Sequence, residues 1–505
     1  MLLIFPPLAK ACEPPAGIAR LAGFLRANNQ KCTLWDANLE GQLYLLGQKQ
    51  SPVDTWSKRA WKNVQANILA LRSQKLYTNN DRYQRAVRDV NRALTQSCIE
   101  TDTTISLADY QDVKLSPHKS SDLLQAAEEY KNNIFFPFFQ RELAKLLVRQ
   151  NDPWIGISLN YLSQAIPAFA LAGLLKKEYP TFKIIAGGGL VTSWLRSPAW
   201  INPFPELFEH LVAGPGETPL LELFSNNSTH RHQTPDFTGL PLDKYLAPGL
   251  ILPYSASTGC YWNRCSFCPE KAEGNPYIKL SSNQVMKDLR TLTDEYQPRL
   301  IHLLDNAVAP SLMKHLIRQP LGSDWYGFAR ISPELSSQKF CIELRKSGCV
   351  MLKLGIESGS QEVLDAMDKG INLRVVEESL TALKQAGIAT YVYLLFGTPS
   401  EDITKARQTL DFTVQNADAI TFLNLAVFNL PLHSEESHTL ELHDFSSADL
   451  SLYSNFQHPL GWSRKEVRNF LATEFKTHPL IRQILQRDPP FFTSNHAPLM
   501  LQTYF

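Results

Sequence analysis

The chain has 505 residues, 44% of them hydrophobic, which is too long for one core and calls for two or three domains. Its 50 Lys and Arg against 49 Asp and Glu exclude a global field that would attract nucleic acid or an anionic bilayer. The opening MLLIFPPLAKACEPP is too short an apolar run for a signal peptide, and no run of about 18 apolar residues follows, so a cytoplasmic protein without a membrane span or nucleic-acid partner is expected.

In chain order, an apolar run at Leu2–Phe5, a helical pattern AGIARLAGFLRANNQ and a second apolar run KCTLW ending at Asp36 read as strand, helix, strand. Residues 42–152 have a different texture, with apolar positions at helical spacing, and read as a helical insertion whose aromatic residues pack its core. The alternation resumes with WIGISLN, IPAFALAGLLKKEY, KIIAGG and EHLVAGPGE. Alternating strands and helices predict an α/β, doubly wound parallel sheet, whose ligands lie beyond the carboxyl ends of the strands. Pro6 and Pro7, Asn38, Ser158, Gly187 and Gly188, and Glu217 fall at those ends. Small and glycine residues there would let the backbone approach a large planar or phosphate-bearing ligand, or would simply make tight turns.

The first domain is thus expected over residues 1–225, followed by a polar, turn-rich linker at 226–249. Six further strand–helix alternations over 250–430 predict a partial, open (β/α)6 barrel rather than the closed eight-stranded form. A loop-rich region, 431–505, with one clear helix in SRKEVRNFLATEFK, ends the chain.

Three of the eight cysteines, Cys260, Cys265 and Cys268, lie within nine residues in the loop after the first barrel strand, where parallel barrels place their chemistry. Eight cysteines in such a chain are too few for a disulfide scaffold. A structural zinc site takes four protein ligands, and this loop offers three and no histidine. Three thiolates suit an iron–sulfur cluster with one iron left open.

The loop and the barrel behind it resemble the radical S-adenosylmethionine superfamily. The usual spacing there is Cys-x3-Cys-x2-Cys with an aromatic residue before the last cysteine; Phe267 matches, and this loop has one extra residue between its first two cysteines. The segment LLDNAVAP, with Asn306, resembles the family's acidic or amide-bearing turn. YGFARISPEL resembles its strand-three arginine at Arg330, LGIESGSQEVLDAMDKG its strand-four glutamate at Glu357 with Ser358 following, and YLLFGTPSED its glycine–proline turn at Phe396 and Gly397. The resemblance implies a 4Fe–4S cluster on the three cysteines and S-adenosylmethionine on the open iron. By the same resemblance Arg330 would pair with its carboxylate, Glu357 and Ser358 would hold ribose or amino groups, and Phe267 would face the adenine. The plain alternative is that Arg330 and Glu357 form a buried ion pair within the barrel.

The N-terminal unit resembles the cobalamin-binding, Rossmann-type domain that precedes one radical enzyme subclass. Free-standing cobalamin domains offer cobalt a histidine from Asp-x-His-x-x-Gly; here Asp36-Ala37-Asn38-Leu39-Glu40-Gly41 has an amide at that place, a poorer ligand than imidazole. The resemblance implies C-methylation of an unactivated carbon through a 5'-deoxyadenosyl radical and methylcobalamin. It also implies an external electron donor of flavodoxin or ferredoxin type and a substrate that no motif identifies. A radical rearrangement, cyclisation or cleavage without methyl transfer, and a noncatalytic iron–sulfur or cobalamin sensor, are the alternatives. No catalytic acid or base can be named. The insertion and the C-terminal region, least explained by cofactors, are expected to shape substrate access.

Overall fold

Both sheets begin with short, wholly buried apolar strands, LLIF at Leu2–Phe5 and ILPY at Ile251–Tyr254. The computed structural model describes residues 1–505 except 53, 100, 151, 225–231, 444–447, 493–495 and 502–505. It divides into two compact units, the first comprising Met1–Ile251 with Ser446–Ser451 and Pro490–Phe492, the second the remainder. Among the described residues, no helix is long and apolar enough to cross a membrane.

In the first unit β1 (Leu2–Phe5), α1 (Ala16–Ala27) and β2 (Thr33–Asp36) are followed by α2 (Ala37–Gly47) and then the insertion. Helices α3 (Thr55–Leu71), α4 (Asn80–Gln96) and α5 (Phe136–Leu147) dominate the insertion, as its periodicity predicts. A short hairpin, Thr103–Ile105 with Tyr110–Asp112, also lies within it and was not anticipated, since two three-residue strands leave no periodic signal. Phe135, Phe138 and Phe139 are buried, and Phe138 lies 5.7 Å from the Trp35 ring, so these aromatics are core, whereas Trp56 is 65% exposed.

The chain returns through β3 (Trp154–Ser158), α6 (Leu162–Glu178), β4 (Lys183–Gly187), α7 (Gly189–Leu195), β5 (His210–Val212) and α8 (Glu217–Glu222). The strands form one parallel sheet in the order β2-β1-β3-β4-β5. That is the expected doubly wound α/β arrangement. After β2 the chain crosses to the other side of β1, so the switch point, where such sheets bind ligands, lies between the carboxyl ends of β1 and β3.

Of the segment expected as a linker, residues 226–231 lie outside the described residues. The rest is a strap on the first unit. Asp236 donates its N–H to the Ala19 carbonyl at 2.9 Å and pairs with Arg26 at 2.7 Å, and Leu246 N–H reaches the Ala11 carbonyl at 2.8 Å. A Cβ on Gly23 of α1 would stand 2.1 Å from the Thr234 carbonyl oxygen, so the strap runs directly over helix backbone that only glycine leaves bare. Tyr245 donates to the buried Asp36 carboxylate at 2.6 Å, which also caps α2 by accepting from Leu39 N–H at 2.9 Å.

The second unit carries a six-stranded sheet of β6 (Ile251–Tyr254), β7 (Leu300–Leu303), β8 (Asp324–Ala329), β9 (Cys349–Glu357), β10 (Ala389–Phe396) and β11 (Phe422–Val427), in sequence order. Strands β7 to β11 pair in parallel. The intervening helices include α9 (Ser282–Tyr296), α10 (Pro310–Arg318), α11 (Gln338–Lys346), α12 (Leu373–Ala386) and α13 (Ile403–Gln415). Ser281, Ser337, Asn372 and Asp402 cap four of them with side-chain acceptors, and Gly387 at φ 73° ends α12, so turn chemistry and hydrophobic period agree. This is the expected partial barrel.

Burial pushes the Asp36 carboxyl up to about 6 from 3.8, against the opposing hydrogen bonds from Tyr245 and Leu39. A carboxyl raised in the folded state contributes stability that is full below its unfolded value and is lost as pH rises through the folded one. The unfolding free energy of the native chain relative to Asp36→Asn should therefore fall by about 2 kcal/mol between pH 4 and pH 7, followed by urea titration. A difference that does not vary with pH would contradict the buried cap.

Candidate functional site

The cysteine loop springs from the end of β6 and is closed at its base by a two-stranded antiparallel ribbon, Ser257–Thr258 with Ile278–Lys279. Gly259, at φ 70°, passes so near the Pro276 carbonyl that a Cβ would sit 2.5 Å from its oxygen. Within the loop Cys268 N–H donates to the Cys265 carbonyl at 3.2 Å. Cys265 is buried at 9% exposure, and Cys260 and Cys268 are half-buried. Burial pushes the Cys265 and Cys268 thiols up, Cys268 to about 11, while the cations of Lys369 and Arg330 pull Cys265 the other way.

Arg330 follows β8 and is half-buried, with its Nη2 donating to the Lys369 carbonyl and its charge beside Cys265 and Cys260. Its guanidinium carbon stands 3.9 Å from the centroid of the Trp262 ring. Burial lowers its pKa, and the neighbouring Cys265, Tyr261 and Cys260 oppose that. Glu357 ends β9 at φ 69°, a strained value for a residue with a side chain, and accepts from Lys369 Nζ at 2.7 Å. The two side chains are 12% and 9% exposed. Gly355 makes room for them, since a Cβ there would lie 2.5 Å from Glu357 Oε1. Lys369 Nζ also stands 5.3 Å from the Phe267 ring centroid. The alternative reading of Arg330 and Glu357 as an ion pair with each other is not what is observed: each meets Lys369, the arginine through its carbonyl and the glutamate through its ammonium.

Several residues singled out from sequence are placed elsewhere. Asn306 is exposed, and its neighbour Asp305, 3% exposed, holds the start of the loop by accepting from Ala256 N–H at 3.0 Å and from Ser257 Oγ. Ser358 is fully buried, its hydroxyl engaged by Thr409 at 3.1 Å and by Ser360 N–H, so it turns the chain rather than facing a ligand. Phe396 points into the core against Phe470 and Phe475. Gly397, at φ 83°, offers only backbone, and its N–H donates to the buried Glu401 carboxylate, which Trp462 also reaches at 3.0 Å. Burial pushes Glu401 up to about 7. Trp262, Lys369, Asp305 and Glu401 carry no period or spacing signal that would have singled them out.

In the first unit, Ser158, Gly187, Gly188 and Glu217 are partly exposed at the carboxyl ends of the strands, whereas Pro6 and Pro7 are buried. Glu217 pairs with Arg20. Asn38 is 1% exposed, and its amide oxygen accepts from Ala9 N–H at 2.7 Å and Gln42 Nε2 at 2.9 Å. It is a clamp on the loop after β1, its oxygen already engaged, which accords with the amide being a poor cobalt ligand.

The donor set fits an iron–sulfur cluster. Among the described residues, no three His, Cys, Asp or Glu side chains converge on a point that could hold one metal ion. In a cluster each thiolate takes its own iron, so convergence is not required, and the flanking Arg330 and Lys369 offset the negative charge that three thiolates and sulfide bring.

Residues 254–413 match the family described as the Radical SAM superfamily. The matched stretch runs from the end of β6 into α13, so the barrel is similar to a radical SAM domain. An uncharacterized methyltransferase of Pyrococcus horikoshii is 26% identical over 311 residues, 54% of this chain and 66% of the relative. The anaerobic magnesium-protoporphyrin IX monomethyl ester cyclase of Rubrivivax gelatinosus is 25% identical over 209 residues, 39% of this chain and 36% of the relative. The chain thus spans less than two thirds of either curated relative. Among solved structures, the radical S-adenosylmethionine methyltransferase TsrM of Kitasatospora setae, with cobalamin and a 4Fe–4S cluster bound, aligns with a TM-score of 0.51 at 14% identity, covering 86% of this chain and 76% of that one. This likeness is one of fold, and it extends beyond the radical SAM domain into the N-terminal unit.

Removing Lys369 would leave the Glu357 carboxylate buried without its ammonium. Lys369→Met is expected to destabilise the radical SAM domain by about 2–4 kcal/mol, and adding Glu357→Gln should recover most of that loss. Thermal unfolding of the two variants beside the native chain checks both halves; no recovery in the double variant would deny the pair.

Proposed function

We propose that this chain is a cobalamin-binding radical S-adenosylmethionine enzyme that methylates carbon. The observation that carries the reading is the three-thiol loop at the carboxyl mouth of a six-stranded parallel sheet, with Arg330 and Lys369 beside the thiols. The methyltransferase names of one curated relative and of the TsrM structure support the methyl-transfer part. When bound, the cluster and S-adenosylmethionine supply a carbon-centred radical, and methylcobalamin supplies the methyl group.

The chain's own residues bind and orient. Cys260, Cys265 and Cys268 would hold the cluster. Arg330 would take the carboxylate of S-adenosylmethionine through the guanidinium edge left beside its bond to Lys369, and Phe267 would offer its ring to the adenine. The buried Lys369–Glu357 pair would keep the rim rigid and exclude water from it. In the first unit, Ser158 and the bare backbone of Gly187, Gly188 and Gly189, at the carboxyl ends next to the switch point, fit a broad flat ligand such as a corrin. Domain limits near residues 1–225, 250–430 and 431–505, a cytoplasmic setting and a flavodoxin- or ferredoxin-like electron donor complete the proposal.

Substrate access would be shaped by two regions. The insertion carries a cavity of about 430 Å³ lined by residues that include Tyr110, Lys114, Lys119, Leu162 and Ser163. In the C-terminal region, His458 and Trp462 reach the Gly397 turn at the mouth through Thr398 and Glu401. The last described segment does not serve access: His496 packs 4.1 Å from Tyr391 and 4.6 Å from Phe422, near the amino ends of β10 and β11, opposite the mouth.

Anaerobically purified protein should carry about four iron and four sulfide per chain, and Ala at Cys260, Cys265 or Cys268 should abolish them, while Ala at Cys12, Cys32, Cys98, Cys341 or Cys349 should not. A full cluster in Cys265→Ala, or zinc in place of iron, would contradict the assignment. Separately, hydroxocobalamin added to the cluster-loaded protein should survive gel filtration at micromolar protein. Complete loss of corrin would remove methylcobalamin from the reading and leave the cluster intact.

A further inference from the structure

The cysteine loop has one residue more than the usual spacing between Cys260 and Cys265, and a left-handed residue lies in that stretch. Asn263 is exposed at φ 45°, a left-handed turn that asparagine tolerates better than most residues. The turn folds Trp262 back onto the rim of the barrel. Its indole Nε1 donates to the Asp368 carbonyl at 3.0 Å. The six-membered edge lies over Gly370, where a Cβ would stand 2.2 Å from Cζ2, so any side chain at that position would lift the ring. Two guanidinium groups lie over the indole, Arg330 at 3.9 Å and Arg264 at 5.2 Å from its centroid, and Arg264 is tied to Asp368 at 3.4 Å.

A guanidinium stacked on an indole is held by its face, and its N–H groups, which lie in its plane, remain directed outward to planar acceptors. One of those edges already reaches the Lys369 carbonyl. The stack and this bond together fix both the plane and the rotation of Arg330, which sits on a flexible three-carbon stem. We infer that Trp262 is a positioning residue: it sets the guanidinium plane of Arg330 so that the remaining edge meets the carboxylate of S-adenosylmethionine in a planar, two-point contact. The inference rests on the proposed pairing of Arg330 with that carboxylate.

The test compares two ligands on anaerobic, cluster-loaded protein by equilibrium dialysis: S-adenosylmethionine, and 5'-methylthioadenosine, which keeps the adenosine and lacks the carboxylate. Trp262→Ala should raise the dissociation constant for S-adenosylmethionine by about 3- to 30-fold, leave that for methylthioadenosine unchanged and leave the iron content intact. Trp262→Phe, which keeps a ring face, should recover most of the affinity. If Trp262→Ala loses its iron, Trp262→Leu, with apolar bulk and no π face, takes its place. Arg330→Ala separates the two levels of the argument. If it weakens S-adenosylmethionine binding and the tryptophan variants do not, the positioning role is overturned and the carboxylate pairing stands. If neither weakens it, the pairing itself is overturned. Equal weakening of both ligands by Trp262→Ala would make the residue a support of the loop and overturn the inference.

Discussion

Parallel register is the constraint on which the candidate site depends. Ala329 of β8 pairs with Leu354 of β9, Leu354 with Val392 of β10, and Phe396 with Val427 of β11, so the strands end on one rim. Arg330, Glu357 and Gly397 are the residues at or just past those ends. A one-residue slip in any pair would turn its rim side chain to the opposite face of the sheet. The cysteine loop leaves the same rim from β6, and Asp305, just past β7, ties that departure down through Ala256 and Ser257. The meeting of thiols with cations is thus a consequence of strand ends brought level.

The rim concentrates costs that the rest of the unit must offset. Glu357 carries a positive φ, its pair with Lys369 is largely removed from water, and Glu401 is buried with a carboxyl pushed up to about 7. Strain and buried charge of this kind persist where surrounding packing fixes them, and they cluster at functional sites. Lys369 is the residue that joins the parts: its ammonium serves Glu357 and the Phe267 ring, and its carbonyl serves Arg330. One residue therefore couples the cysteine loop, β8 and β9.

Period and turn chemistry made most of the architecture legible in the sequence, because strands such as LLIF and helices such as LRVVEESLTALKQAG carry local signals that tertiary packing reinforces. The cysteine spacing and the arginine and glutamate after their strands were legible for the same reason: they sit at fixed offsets from recognisable elements. What stayed hidden depends on side-chain direction. Asp305 and Asn306 are adjacent and chemically alike, and only the turn after β7 decides which one faces inward. Phe396 and Ser358 lie next to rim positions but point to the helix layer. Asn38 occupies a motif position, yet Ala9 and Gln42, one distant in sequence and one a helical turn away, use its oxygen. Trp262 and Lys369 act through contacts with residues 12 to 106 positions away, across whole helices and strands, for which a single sequence has no register.

The central claim is that the three thiols hold a cluster with one iron open to S-adenosylmethionine. Electron paramagnetic resonance of the anaerobic, dithionite-reduced protein, recorded before and after S-adenosylmethionine is added, addresses it directly. The account predicts the signal of a reduced 4Fe–4S cluster whose shape and g-values change on addition, since a new ligand reaches the open iron. A reduced-cluster spectrum that S-adenosylmethionine leaves unaltered at saturating concentration, or no cluster signal at all, would contradict it.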